Sequence, residues 1–135
     1  MDKHNIEFFN DVYEFKTSFN HKPLFDSNSE GLIGFHFQNL NQGIVINASA
    51  FTNVDEAESN FEQANKVNAQ SLRTISKICQ NSKSILIHFS TDYVFDGKNI
   101  SPYTENDEPN PINFYGYSKL KGENLVIKNT NQYFI

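Results

Sequence analysis

Cysteine is almost missing from this chain: Cys79 stands alone. A single thiol builds neither a disulfide framework nor a cysteine-based metal site, and its plain implication is a reducing, intracellular setting. Basic charge is scarce too. Eleven lysines and arginines face sixteen aspartates and glutamates, for a formal net charge of −5. That balance argues against a nucleic-acid partner or an anionic membrane surface, since both need a basic face. No apolar run approaches the ~20 residues that cross a bilayer. The opening "MDKHNIEFFN" has no basic region leading into an apolar stretch, so no signal peptide is read there. The expectation is a cytoplasmic protein. Tryptophan is absent as well, yet aromatics are plentiful: 13 Phe and 6 Tyr, with many of the Phe in the first 40 residues.

The 135 residues fit one domain. Within it, "GIVINASA" (43–50) begins with a β-branched apolar run, Ile44-Val45-Ile46, bounded by Gly and Asn. Such a run suits a strand buried on both faces. From about Ala57 to Cys79 there is no Gly or Pro, and apolar residues recur at Phe61, Ala64, Val67, Leu72, Ile75 and Ile78. That stripe predicts a helix, with the acidic "DEAE" (55–58) at its positive dipole end. "SILIHFS" (84–90) is a second buried-strand candidate. A polar loop follows, and Asn110-Pro111 predicts a helix start with Asn as N-cap, running to about Lys128. "QYFI" opens a third strand. Cys79 reads as a buried helix residue and His88 as a packed or hydrogen-bonded strand residue. Strands alternating with helices predict an α/β fold, an incomplete Rossmann-like parallel sheet with helical crossovers. Ligands of such sheets bind outside the carboxyl ends of the strands. Those ends carry "NASAFT" and "STDYVFDG". Residues 1–42 form a separate N-terminal segment, in which "IEFFNDVYEF" suggests a short helix and "GLIGFHF" a strand.

"FYGYSKLKGE" (114–123) holds a tyrosine followed four residues later by a lysine, twice. Residues four apart share a helix face. The face of Tyr117 runs through Lys121, Asn124 and Lys128, a solvated row. The face of Tyr115 runs through Lys119, Gly122 and Val126, so Tyr115 is expected to point inward. An isolated phenol, with a pKa near ~10, exchanges protons poorly at neutral pH. A nearby ammonium favours the phenolate and lowers that value. The phenol can then exchange a proton with a substrate oxygen while a hydride reaches the carbon. Such pairs also arise by chance, and the third residue is what matters: Thr91, after the second strand, offers a hydroxyl to the same oxygen.

A Ser or Thr after a buried strand, followed by Tyr-x-x-x-Lys, resembles the extended short-chain dehydrogenases/reductases. Over residues 40–135, "VINASAFTNVDEAES", "VNA", "HFSTDYVFDG" and "PYTENDEPNPINFYGYSKLKGE" are similar, in order and spacing, to the dTDP-4-dehydrorhamnose reductase family. The resemblance implies reduction of dTDP-4-dehydro-6-deoxy-L-mannose to dTDP-L-rhamnose with NADPH or NADH. Tyr115 would donate the proton, Lys119 would hold the nicotinamide ribose, and Thr91 would orient the substrate carbonyl with Asp92 beside it. Ala50, Phe51 and Thr52 would line the cofactor, and Asn68 would sit inside a helix near the site. Ala50 and Phe51 read equally as strand-end core, and Asp92 as a cap of its loop. Mg2+ occurs in the family, without an identifiable site in this sequence.

The family's Gly-x-x-Gly-x-x-Gly turn is not matched. "GLIG", Gly31 to Gly34, has no strand before it and Phe37 at the third glycine's place. The chain also stops at Ile135, inside an expected strand. Proton-transfer residues without the grip on cofactor and sugar predict a truncated, poorly active reductase that self-associates or relies on a complementary half. A non-catalytic binding subunit of the same family is the alternative, and an inactive fragment a third.

Overall fold

The computed structural model describes residues 42–135. The helix and strand expected before residue 42, and the Gly31–Gly34 turn, lie outside the described residues. Three short strands, β1 (Ile44–Asn47), β2 (Ile85–His88) and β3 (Tyr133–Phe134), form a parallel sheet in the order β1-β2-β3. Val45 is level with Leu86, and Asn47 with His88. Between β1 and β2 run α1 (Val54–Ser59), α2 (Phe61–Asn65), a π-helical turn (Lys66–Gln70) and α3 (Ser71–Ser82). Between β2 and β3 run a 3-10 turn (Asp92–Val94), an irregular loop and α4 (Phe114–Asn129).

The single helix read from the apolar stripe is divided. It starts earlier than Ala57, because the Asn53 side chain accepts the Glu56 N–H at 3.1 Å and caps α1. It breaks at Asn60, whose φ of −118° and ψ of 41° leave the helical region. From Phe61 to Ser82 the backbone then stays helical through the π turn. Lys83 ends it in the left-handed conformation (φ 54°), and the N–H of Ser84 returns to the Cys79 carbonyl at 2.9 Å. That is the usual geometry of a helix stop, achieved without glycine.

The last helix also begins later than expected. Its cap is Asn113, whose Oδ1 accepts the Gly116 N–H at 2.7 Å. Asn110 serves the loop instead, donating from its backbone to Val94 O at 2.9 Å and from its side chain to Asp96 Oδ2 at 3.2 Å. Competition from this loop contact removes Asn110 from the capping role.

The main core joins Val45 and Leu86 of the sheet to Leu72, Ile75 and Cys79 of α3 and Val126 of α4, with Tyr133 against them. A second cluster joins Ala57, Ala64 and Tyr115, with Phe51 and Val54 beside it. Burial on both faces of β1 is not found among the described residues. Val45 is 6% exposed, whereas Ile44 is 63% and Ile46 50% exposed. The reason is chirality. Two successive right-handed crossovers in a sheet ordered 1-2-3 place both helical layers on the same face.

Candidate functional site

The carboxyl ends of β1 and β2 and the first turns of α4 meet at one place. Tyr115 is 9% exposed and Lys119 2%, while Tyr117 is 56% exposed. The inward face continues through Gly122 and Val126, both buried. The choice of frame follows from packing: Tyr115 joins the buried cluster of Ala57 and Ala64, whereas Tyr117 borders an open groove with Phe61, Asn65 and Lys66.

Two glycines make that approach close. A Cβ on Gly116 would lie 2.1 Å from the carbonyl oxygen of Tyr93, and one on Gly122 2.1 Å from that of Asn68. The backbone that approaches Gly122 is therefore the π turn. Asn68, 1% exposed, projects from that turn and ties three elements together. Its Oδ1 accepts the Phe51 N–H at 2.8 Å, and its Nδ2 donates to Phe51 O at 3.1 Å and to Ser118 Oγ at 2.9 Å. π turns insert an extra residue where a helix must re-aim a side chain. Here that side chain is the amide holding the loop after β1 against α4.

Lys119 is the largest fully buried side chain among the described residues. Its Nζ donates to the carbonyl of Phe89, at the end of β2, at 2.5 Å and lies 3.4 Å from His88 Nε2. Burial pushes its pKa down to about 8, against an upward pull from Glu123. Glu123, one turn further along α4, accepts a hydrogen bond from Ser90, and burial raises its pKa. His88 is pushed down to about 4, first by burial and then by the charge of Lys119. The ring of Tyr115 meets that of Tyr93 edge-on, with centroids 5.7 Å apart. None of these hydrogen bonds takes up the Tyr115 hydroxyl.

Thr91 follows β2 as expected, but its hydroxyl is engaged locally. It donates to Asp92 Oδ1 at 3.2 Å and accepts the Tyr93 N–H at 3.3 Å, capping the 3-10 turn. Asp92 is exposed at the start of that turn. Ala50 and Phe51 are half-buried and Thr52 is exposed. The Phe51 ring packs on the Ala57–Ala64–Tyr115 cluster, which matches the core reading. Much of "STDYVFDG" builds the loop itself. Val94 is buried, the rings of Phe95 and Tyr103 stack at 4.3 Å, and Gly97 adopts a φ of 72°. Asp96 accepts from Tyr103 Oη at 2.9 Å and from the Lys98 N–H at 3.0 Å.

Reading the sequence alone missed Asn47, Ser90 and Glu123; His88 is the buried, hydrogen-bonded strand residue expected, but its partners were not foreseen. The signal for Glu123 was present, since it lies four residues beyond Lys119 on the same face. His88 and Asn47 needed the strand register, which pairs them. Among the described residues no group of three or more His, Cys, Asp or Glu side chains is placed to hold a metal ion, and no helix is long and apolar enough to cross a membrane.

Comparison with known proteins places these features in context. The family described as RmlD substrate binding domain matches residues 21–135. A dTDP-4-dehydrorhamnose reductase of Burkholderia thailandensis is 45% identical over 83 residues, which are 62% of this chain and 28% of that protein. Methionine adenosyltransferase 2 subunit beta of Danio rerio is 41% identical over 91 residues, 67% of this chain and 27% of that protein. The crystal structure of dTDP-4-dehydrorhamnose reductase from Bacillus anthracis, in complex with NADP, superposes with a TM-score of 0.78 at 37% identity, over 83% of this chain and 40% of that one. The chain thus spans less than half the length of each of these relatives.

Proposed function

This chain belongs to the RmlD substrate binding domain family, and from that premise we propose that it carries the proton-transfer centre of an NAD(P)H-dependent dTDP-4-dehydrorhamnose reductase. The reaction reduces dTDP-4-dehydro-6-deoxy-L-mannose to dTDP-L-rhamnose in the cytoplasm, supplying a precursor of cell-surface polysaccharide such as O-antigen. One observation carries the reading: Tyr115 and Lys119 share the buried face of α4, with the Lys119 amine anchored at the carboxyl end of β2. That is where a parallel α/β sheet offers its ligand site.

The nicotinamide cofactor, when bound, supplies the hydride. The donor set fits it: a buried amine with hydrogens beyond the one given to Phe89 O stands one turn from a phenol that forms no hydrogen bond among the described residues. Tyr115 gives its proton to the 4-keto oxygen as that oxygen gains negative charge. Lys119 stabilises the phenolate left behind and offers its remaining hydrogens to the ribose. Thr91 turns its hydroxyl from Asp92 to the substrate oxygen, and Asp92 borders the sugar. Ala50, Phe51 and Thr52 line the cofactor, and Asn68 holds Phe51 in place. The division into a segment 1–42 and a nucleotide-binding part 43–135 belongs to this reading. So does association, through apolar side chains such as Ile44 and Ile46, with a second copy or a complementary chain.

Oxidation of NADPH on addition of dTDP-4-dehydro-6-deoxy-L-mannose tests the proposal. Tyr115→Phe is expected to lower the rate by ~10²–10⁴-fold with an unchanged circular-dichroism spectrum. A variant that keeps the wild-type rate refutes the assignment. The likeness to methionine adenosyltransferase 2 subunit beta favours a second reading, a non-catalytic binding subunit. Stable copurification with a large partner and no turnover would select it.

A further inference from the structure

Two successive turns of α4 grip two successive residues at the end of β2. Lys119 Nζ donates to the carbonyl of Phe89 at 2.5 Å, and the Glu123 carboxylate accepts from the hydroxyl of Ser90. Residues four apart share a helix face, and opposite charges at that spacing commonly pair. These two do not close on each other. Among the described residues no ion pair joins Glu123 to Lys119, and the Glu123 Oε1 is turned to Ser90 instead. A contact pair would work against the chemistry. An ammonium has three hydrogens, and Phe89 O takes one. A carboxylate contact would leave a single hydrogen for the phenolate and the ribose together.

We propose that Ser90 and Glu123 form a positioning pair: Ser90 tethers the carboxylate so that its charge keeps Lys119 an ammonium without taking a hydrogen from it. The titratable groups facing Lys119 are Tyr115 and Glu123 on its own helix and His88 on β2. Burial pushes His88 down to about 4, so it is neutral near pH 7. Glu123 is therefore the charge that opposes the burial of the amine. Burial of Glu123 favours its own neutral form, and the bond from Ser90 pulls it back toward the carboxylate. The tether thus serves twice, once in keeping the charge and once in keeping it at a distance. The catalytic meaning rests on the reductase reading above, in which the ammonium stabilises the phenolate that Tyr115 leaves. The pairing itself does not.

NMR titration of Lys119 in the isotope-labelled chain, without cofactor or substrate, tests it together with the pH profile of NADPH-dependent turnover. Glu123→Gln keeps an amide oxygen for Ser90 and removes only the charge. The Lys119 midpoint is expected to fall by ~1 pH unit, tenfold in the protonation equilibrium, and the alkaline limb of kcat to move down with it. Ser90→Ala keeps the charge and removes the tether. Its Lys119 midpoint is expected not to fall, since the freed carboxylate can close on the amine, while kcat drops ~10-fold. A merely structural pair would move both variants alike. An unmoved midpoint in folded Glu123→Gln overturns the proposal, as does a lowered midpoint or wild-type turnover in Ser90→Ala. Both positions are half-buried, and either variant decides if the other unfolds. A chain inert toward NADPH that shows the expected midpoints sinks only the reductase reading. An active chain lacking them sinks only the pairing.

Discussion

Adding one methyl group at Gly122 sets two physical effects against each other. Gly122 lies inside α4, where alanine is intrinsically better than glycine by ~1 kcal/mol. Propensity alone therefore predicts a more stable protein. Packing predicts the opposite. The new Cβ would lie 2.1 Å from the Asn68 carbonyl oxygen and 2.7 Å from Leu72 Cδ1. The leucine methyl can rotate away, but the carbonyl belongs to the backbone of the π turn. Relief requires α4 and the π turn to separate by more than ~1 Å, given ordinary carbon contacts of ~3.5 Å. Asn68 spans that same junction, and its bond to Ser118 stretches with it. Overpacking costs ~1–3 kcal/mol, and the weakened buried hydrogen bond costs ~1 kcal/mol more. After the propensity gain of ~1 kcal/mol, Gly122→Ala should destabilise the fold by ~1–3 kcal/mol. Urea unfolding followed by circular dichroism reads this as a lower midpoint at unchanged slope. Asn124→Ala, on the exposed face of the same helix, controls for propensity and should be neutral to slightly stabilising. A Gly122→Ala protein as stable as wild type, or more so, would refute the close-packing account of this helix pair.

The buried histidine makes stability depend on pH. His88 titrates at about 4 in the folded chain against an ordinary 6.5, so between those values the unfolded chain binds the extra proton. Stability should therefore fall as pH drops from 6.5 toward 4, by at most ~1.4 kcal/mol per pH unit. Glu123, whose carboxyl is shifted upward, opposes the trend by favouring the folded state at low pH. Urea midpoints at pH 7 and pH 5 should differ in the wild type and differ less in His88→Gln; equal pH sensitivity in the two would contradict the assignment. Lys119→Met removes a buried amine and replaces it with an apolar side chain of similar length. Its stability should equal or exceed that of the wild type by ~1 kcal/mol, while NADPH-dependent reduction is lost. A strong loss of stability would show that the Phe89 contact outweighs the cost of burying the amine.

Local chemistry made much of this protein legible before any tertiary information. The β-branched runs marked β1 and β2, the apolar stripe marked the crossover helix, and the four-residue spacing selected the inward face of α4. These features are encoded within a few residues of one another, in periods of two or 3.6. Helix boundaries were less legible. Asn113 rather than Asn110 capped the last helix, because loop contacts to Val94 and Asp96 hold Asn110; the break at Asn60 carried no signal in the apolar stripe.

Composition and spacing alone determined the parallel α/β fold class and the shared helix face of Tyr115 and Lys119. Tertiary structure decided the rest. It committed the Thr91 hydroxyl to its own turn, made Asn68 a three-way tie, and left Ile44 and Ile46 of β1 uncovered among the described residues. It also set Asn47 beside His88 and His88 beside Lys119. Those neighbours lie more than thirty residues apart in the chain, and no periodicity brings them together. Only the register of the sheet, and the closeness that two glycines allow, could do so.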